Sequence, residues 1–256
     1  MRSLWRIGGT LVVAPLLLFS VVQVVVLVAH ERRDVESTYD AADLRAVEIM
    51  NGSGGRVEVV GTDGDEVRIE ARIDHGLRRT GYRERIEGDR LVVSSSCPHF
   101  MTVHCMVDYR VEMPASLELV VGNDAGSILV SDIDAAVDLR TDAGRVEAAR
   151  IGGTLQAHSD AGSVSGVGLR SAHVTAGSNA GAVSLDFDRA PVAVVATSDA
   201  GSVDVIVPGD GEAYNVTANS DAGNVNTAVE TSPSAERTIV ATSDAGAINV
   251  RYANAG

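Results

Sequence analysis

One tetrapeptide recurs along the second half of this chain. Ser-Asp-Ala-Gly stands at 159–162, 198–201, 220–223 and 243–246, and close variants stand at 123–126, 141–144 and 178–181. The seven glycines, Gly126, Gly144, Gly162, Gly181, Gly201, Gly223 and Gly246, are spaced 18, 18, 19, 20, 22 and 23 residues apart. A near-constant period of this length signals stacked supersecondary units rather than scattered sites. Aligned on Asp124, Asp142, Asp160, Asn179, Asp199, Asp221 and Asp244, the repeats show apolar columns five and three positions before the acid and four after it. The first column runs Leu119, Val137, Leu155, Val174, Val194, Val216, Ile239, and the column after the motif runs Ile128, Val146, Val164, Val183, Val203, Val225, Ile248. Alternation on both sides of a turn is the period of strands.

Each repeat therefore predicts strand, corner, strand. The segments between these frames lengthen from 6 to 11 residues, so one corner is constant and the opposite corner is expected to flare, as insertions do in a stacked β-solenoid. The column three before the acid narrows to Ala157, Ala176, Ala196, Ala218 and Ala241, which suits a thin interior. Aromatics make up only 4% of the chain, so large rings cannot fill it. The motif reads as an Asx-type corner: the carboxylate bonds backbone amides and the glycine supplies positive φ. The competing reading is a ladder of carboxylates about 4.8 Å apart that takes up calcium. It supplies one carboxylate per rung, where dedicated calcium loops supply several, and the corner reading is preferred.

Residues 44–115 are strand-like but less regular, with a hairpin signal at Asp63-Gly64 and a degenerate corner at Asn51 to Val57. They are expected to begin the stack and cap its end, ahead of seven repeats over 116–256. Residues 31–43 are polar and read as a tether. Leu11 to Ala29 is an apolar run; as a helix it would span about 28 Å, close to the thickness of a bilayer. It is expected to be one transmembrane helix, with a cleaved signal peptide as the other reading of residues 1–30. Either places the body outside the cytoplasm, and the anchor makes the chain a single-pass protein of the cell membrane. Cys97 and Cys105 flank a hairpin-like turn, and an exported chain would join them as a disulfide. Zinc or copper held by Cys97, His99, His104 and Cys105 is the alternative, at a spacing that matches no strong metal pattern.

All 21 basic residues are arginine, and the formal charge is -14. That balance excludes lysine-dependent chemistry and disfavours nucleic acid as a partner. No cofactor motif and no catalytic set stands out. The repeated Ser-Asp-Ala-Gly-x-Val units, with Tyr109-Arg110-Val111-Glu112-Met113-Pro114 just before them and the like ending Val205-Ile206-Val207-Pro208, resemble a bacterial "putative adhesin" family of β-strand repeats. The resemblance covers roughly residues 44–252. It implies an all-β, right-handed β-solenoid of about 18–23 residues per rung behind an N-terminal membrane segment, and it brings no catalytic residues.

The function expected is a membrane-anchored, non-catalytic binding, adhesion or envelope-sensing module. A polysaccharide-acting β-helix enzyme is the second reading; it would need acids clustered in one groove, whereas here they recur evenly. An ice-binding array is a third, but its threonines do not share a column. The last motif leads into Ile248 to Tyr252 near the chain's end, so this C-terminal edge is expected to be open and to pair with another copy or an envelope protein.

Overall fold

The computed structural model describes residues 31–76, 79–97 and 105–253. Among them every regular element is a strand. The first seven are β1 (Glu31–Asp40), β2 (Ala46–Gly52), β3 (Val57–Thr62), β4 (Glu66–His75), β5 (Gly81–Glu87), β6 (Arg90–Ser96) and β7 (Cys105–Pro114). Each repeat then supplies two, in chain order: β8 (Glu118–Ala125) and β9 (Ile128–Ser131), β10 (Val137–Ala143) and β11 (Val146–Ala149), β12 (Leu155–Ala161) and β13 (Val164–Leu169). The remaining repeats give β14 (His173–Ala180) and β15 (Val183–Phe187), β16 (Ala193–Ala200) and β17 (Val203–Val207), β18 (Tyr214–Ser220) and β19 (Val225–Ala228), and β20 (Arg237–Ala245) and β21 (Ile248–Tyr252).

These strands form two mixed sheets. One has eleven strands in the order β1-β4-β7-β3-β9-β11-β13-β15-β17-β21-β19, and the other has ten, β18-β20-β16-β14-β12-β10-β8-β2-β6-β5. The strands of the repeats pair parallel and in register, so that Leu139 lies beside Val121 and Ala157. The apolar columns face inward between the sheets: Leu119, Val137, Leu155, Val174, Val194 and Ile239 are buried, as are Ile128, Val146, Val164, Val183, Val203 and Ile248. The opposite corner is filled by Ile133, Ile151, Leu169, Phe187 and Val207, a column that lies in the segments of changing length.

Several expectations are corrected here. The uniform solenoid behind a membrane helix gives way to two open, mixed sheets. Antiparallel β1, β4 and β5 break the parallel stack at one end. Chain order and stacking order also part at both ends. The coil of β6 and β7 lies outside that of β2 and β3, and the coil of β20 and β21 lies inside that of β18 and β19. The lengthened segments 206–215 and 228–238 carry the chain past one rung and back, which is why they are longest. Residues 31–40 are not a tether but β1, paired along its whole length with β4. Among the described residues no helix is long and apolar enough to cross a membrane, so the expected single-pass architecture and its localisation find no support; residues 11–29, where that helix was expected, lie outside the described residues.

Candidate functional site

The motif residues form a structural column, built differently from the expected corner. The inward alternation does not stop at the small residue three before the acid. It continues to the residue just before the acid, so Asn123, Thr141, Ser159, Ser178, Ser198 and Ser243 are buried. The serine hydroxyls each donate to a glycine carbonyl of the adjoining coil: Ser159 to Gly144 at 2.8 Å, Ser178 to Gly162 at 2.7 Å, Ser198 to Gly181 at 2.8 Å and Ser243 to Gly201 at 2.9 Å. Asp124, Asp142, Asp160, Asp199, Asp221, Asp244 and Asn179 are all exposed. The only bonds that these seven side chains make among the described residues join Asp160 to His158 and Asn179. The corner is therefore made by serine, and extending the strand parity by one position would have found it.

Positive φ is found at Gly126, Gly144 and Gly162 but not at the other four motif glycines. What the seven share is close backbone approach. A Cβ on Gly201 would lie 2.3 Å from the Gly181 carbonyl oxygen, one on Gly246 would lie 2.1 Å from that of Gly201, and one on Gly223 would lie 2.0 Å from that of Gly246. Gly55, in the degenerate corner, stands against Gly126 in the same column. Among the described residues no group of three or more acids, histidines or cysteines is placed to hold a metal ion. Cys97 and Cys105 form a disulfide, so their thiols are not metal ligands; His99 and His104 lie outside the described residues. The disulfide joins the ends of β6 and β7. Ser95 pairs with Asn51, and Asn51 with Asn123, so the bond closes, for this coil, the corner that the tetrapeptide makes elsewhere.

Two features of the N-terminal end carry more chemistry. The first is a knot joining the sheets. The Glu84 carboxylate on β5 accepts hydrogen bonds from Ser37 and Tyr39 on β1, at 3.2 and 2.6 Å, and from Tyr82. Tyr82 stacks on Tyr109, ring centroids 6.1 Å apart. Burial, then the Glu84 carboxylate, pushes the Tyr39 hydroxyl up to about 12 and that of Tyr82 further; burial likewise raises Tyr109 to about 12.

The second feature is a groove of about 800 Å³ on the outer face of the eleven-stranded sheet, crossing β1, β4, β7 and β3. Strand register sets its charges in rows. One row runs Glu58, Arg110, Glu70, Glu36, and the next runs Asp108, Arg72, Asp34, with Arg56 beside Asp108. Arg72 pairs with Asp34 at 3.4 Å and Arg110 with Glu58 at 3.6 Å. All four side chains are at least 32% exposed, Glu58 the least, so these pairs are worth little and exchange readily. Glu36 and Glu70 stand directly opposite each other, an arrangement that disfavours the sheet unless a cation approaches. Five carboxylates face three guanidiniums in this groove. No local pattern in the sequence signals it, because the rows join residues up to 74 positions apart.

No family model matches the sequence, and no curated protein matches it. Among solved structures, a protein from Bacteroides fragilis described as a "putative adhesin" shares 13% identity over 86% of this chain and 97% of its own, with a TM-score of 0.51. Another so described, from Parabacteroides distasonis, shares 11% identity over 85% of this chain and 97% of its own, at a TM-score of 0.44. A "putative cell adhesion protein" from Clostridium sporogenes shares 10% identity over 87% of this chain and all of its own, at 0.41. The likeness to the Bacteroides protein is one of fold. The resemblance noted from the tetrapeptide extends that far: an all-β architecture shared with a protein of that description.

Proposed function

We propose that this chain is a non-catalytic binding or adhesion module that docks a basic, extended partner in the charged groove across β1, β4, β7 and β3. The observation that carries the reading is the opposed pair Glu36 and Glu70 beside exposed, exchangeable ion pairs. A partner bringing arginine or lysine would relieve that repulsion and take over those pairs. The fold shared with a Bacteroides protein described as a putative adhesin supports a binding role over a catalytic one. The test is retention of short peptides, basic, neutral and acidic, on the immobilised chain. Basic peptides are expected to be retained, released by salt, and lost in Glu36→Lys with Glu70→Lys. Equal retention of acidic peptides, or indifference to those substitutions, would overturn the reading.

A further inference from the structure

The two ends of the stack differ in how they treat their edges. At one end the edge strands are densely charged: β1 carries Glu31, Arg32, Arg33, Asp34, Glu36 and Asp40, and β5 carries Arg83, Glu84, Arg85 and Glu87. Charged edges resist pairing with a further strand. At the other end β18 and β19 are the last strands of their sheets, and neither YNVTANS nor VNTA contains a charge. The return segment covers β18 only at its start, where Tyr214 bridges Thr231. Beyond that point the inward columns come to the surface. Val216 and Ala218 are half-buried, and Val225 is 44% exposed, whereas their counterparts Ile239, Ala241 and Ile248 in the coil beneath are fully buried.

We infer that this end is an interface for a second copy of the same chain, related by a two-fold axis and joined through the free edges of β18 and β19. Every interior coil of the molecule is covered by another coil of the same cross-section, with inward columns aligned. At the open end a second copy supplies that cross-section, including the same row of small and branched side chains. A two-fold axis across the end pairs edge strands antiparallel, and residues directly opposite in such a pair share a face, so inward meets inward. Neutral edges bring no like charges together, although the chain as a whole carries -14. The end face measures roughly 20 by 20 Å, from six residues of strand and two sheets about 10 Å apart. Two such faces bury about 800 Å², below the standard size of a stable complex, so the dimer is weak and concentration-dependent.

This inference goes beyond the groove, which lies at the far end of the stack, and its failure is distinguishable from failure of the groove. The experiment is sedimentation velocity of the full chain, in mild detergent to solvate the apolar residues 11–29, from low to high micromolar concentration. A monomer–dimer equilibrium is expected. Because the acidic bodies repel, it should tighten as salt rises from ~0.05 to ~0.5 M, opposite to release of basic peptides from the groove. Thr217→Arg with Asn226→Arg, both on outward and exposed edge positions, should abolish the dimer with an unchanged melting curve; Asn219→Lys alone should weaken it. Glu36→Lys with Glu70→Lys should leave it intact. A strictly monomeric chain, growth beyond dimers, or a dimer that survives Thr217→Arg with Asn226→Arg would each overturn the inference.

Discussion

At Gly201 the neighbouring backbone leaves no room for one methyl group. Its Cβ would lie 2.3 Å from the Gly181 oxygen and 2.5 Å from the Gly181 carbonyl carbon, and neither coil can retreat without straining the parallel register. Gly201→Ala is therefore expected to cost about 1–3 kcal/mol, as overpacking does, read as a lower denaturant midpoint. Ser198→Ala should cost about 1 kcal/mol, because it removes the hydrogen bond that the buried Ser198 hydroxyl donates to the half-buried Gly181 carbonyl. Asp199→Asn, one residue on, should stay within about 0.5 kcal/mol, since that side chain is exposed. Equal effects at Ser198 and Asp199 would return the corner to the acid. The acid, present in six of the seven motifs, is thus not what builds the corner. The serine was legible from parity alone, while the reason for the glycine was not: a carbonyl 18 to 71 residues away in sequence sets it.

Among the elements, β1 and β5 are held to each other across the sandwich by the Glu84 knot. Tyr39 and Tyr109 ionise near 12 when folded and near 10 when unfolded. Their raised folded values mean that the unfolded chain gives up its protons first. The stability they contribute is whole below pH about 10 and is lost as pH climbs towards about 12. A tyrosinate titration followed in the near ultraviolet should show these groups ionising late and together with unfolding, and Tyr39→Phe should loosen β1 before the stack. A normal, reversible titration of all five tyrosines near pH 10 would refute the knot. Strand β1 was read from sequence as a tether because its polar letters, ERRDVESTYD, describe an edge strand and a linker equally well. Only the partner β4, in register from Glu31–His75 to Asp40–Glu66, distinguishes the two.

On the scale of the whole molecule, the crossing of coils near the open end has a measurable signature. Strands β20 and β21 are flanked on both sides, whereas β18 and β19, earlier in sequence, are flanked on one. Hydrogen exchange should find the later strands protected and the earlier ones open, the reverse of fraying towards a chain end. The crossing is clamped where Arg237 bonds Asp210 and lies over the Tyr214 ring, 5.8 Å from its centroid. The Arg237 hydrogen bond holds the Asp210 carboxyl below the usual range. That contribution is present above pH about 4 and is lost as pH falls through the depressed value. Asp210→Asn should remove this acid sensitivity and speed exchange in β18 without touching β10 to β13; uniform loss across the stack would count against a local clamp. What the sequence determined by itself is the repeating coil: its two strands, its inward columns and its constant corner, all set by side-chain alternation within about twenty residues. What only the tertiary structure decided is the order of the coils, the charged groove and which edge lies open. Parallel coils of like cross-section stack equally well in more than one order, and the choice rests on contacts between residues that no local pattern relates.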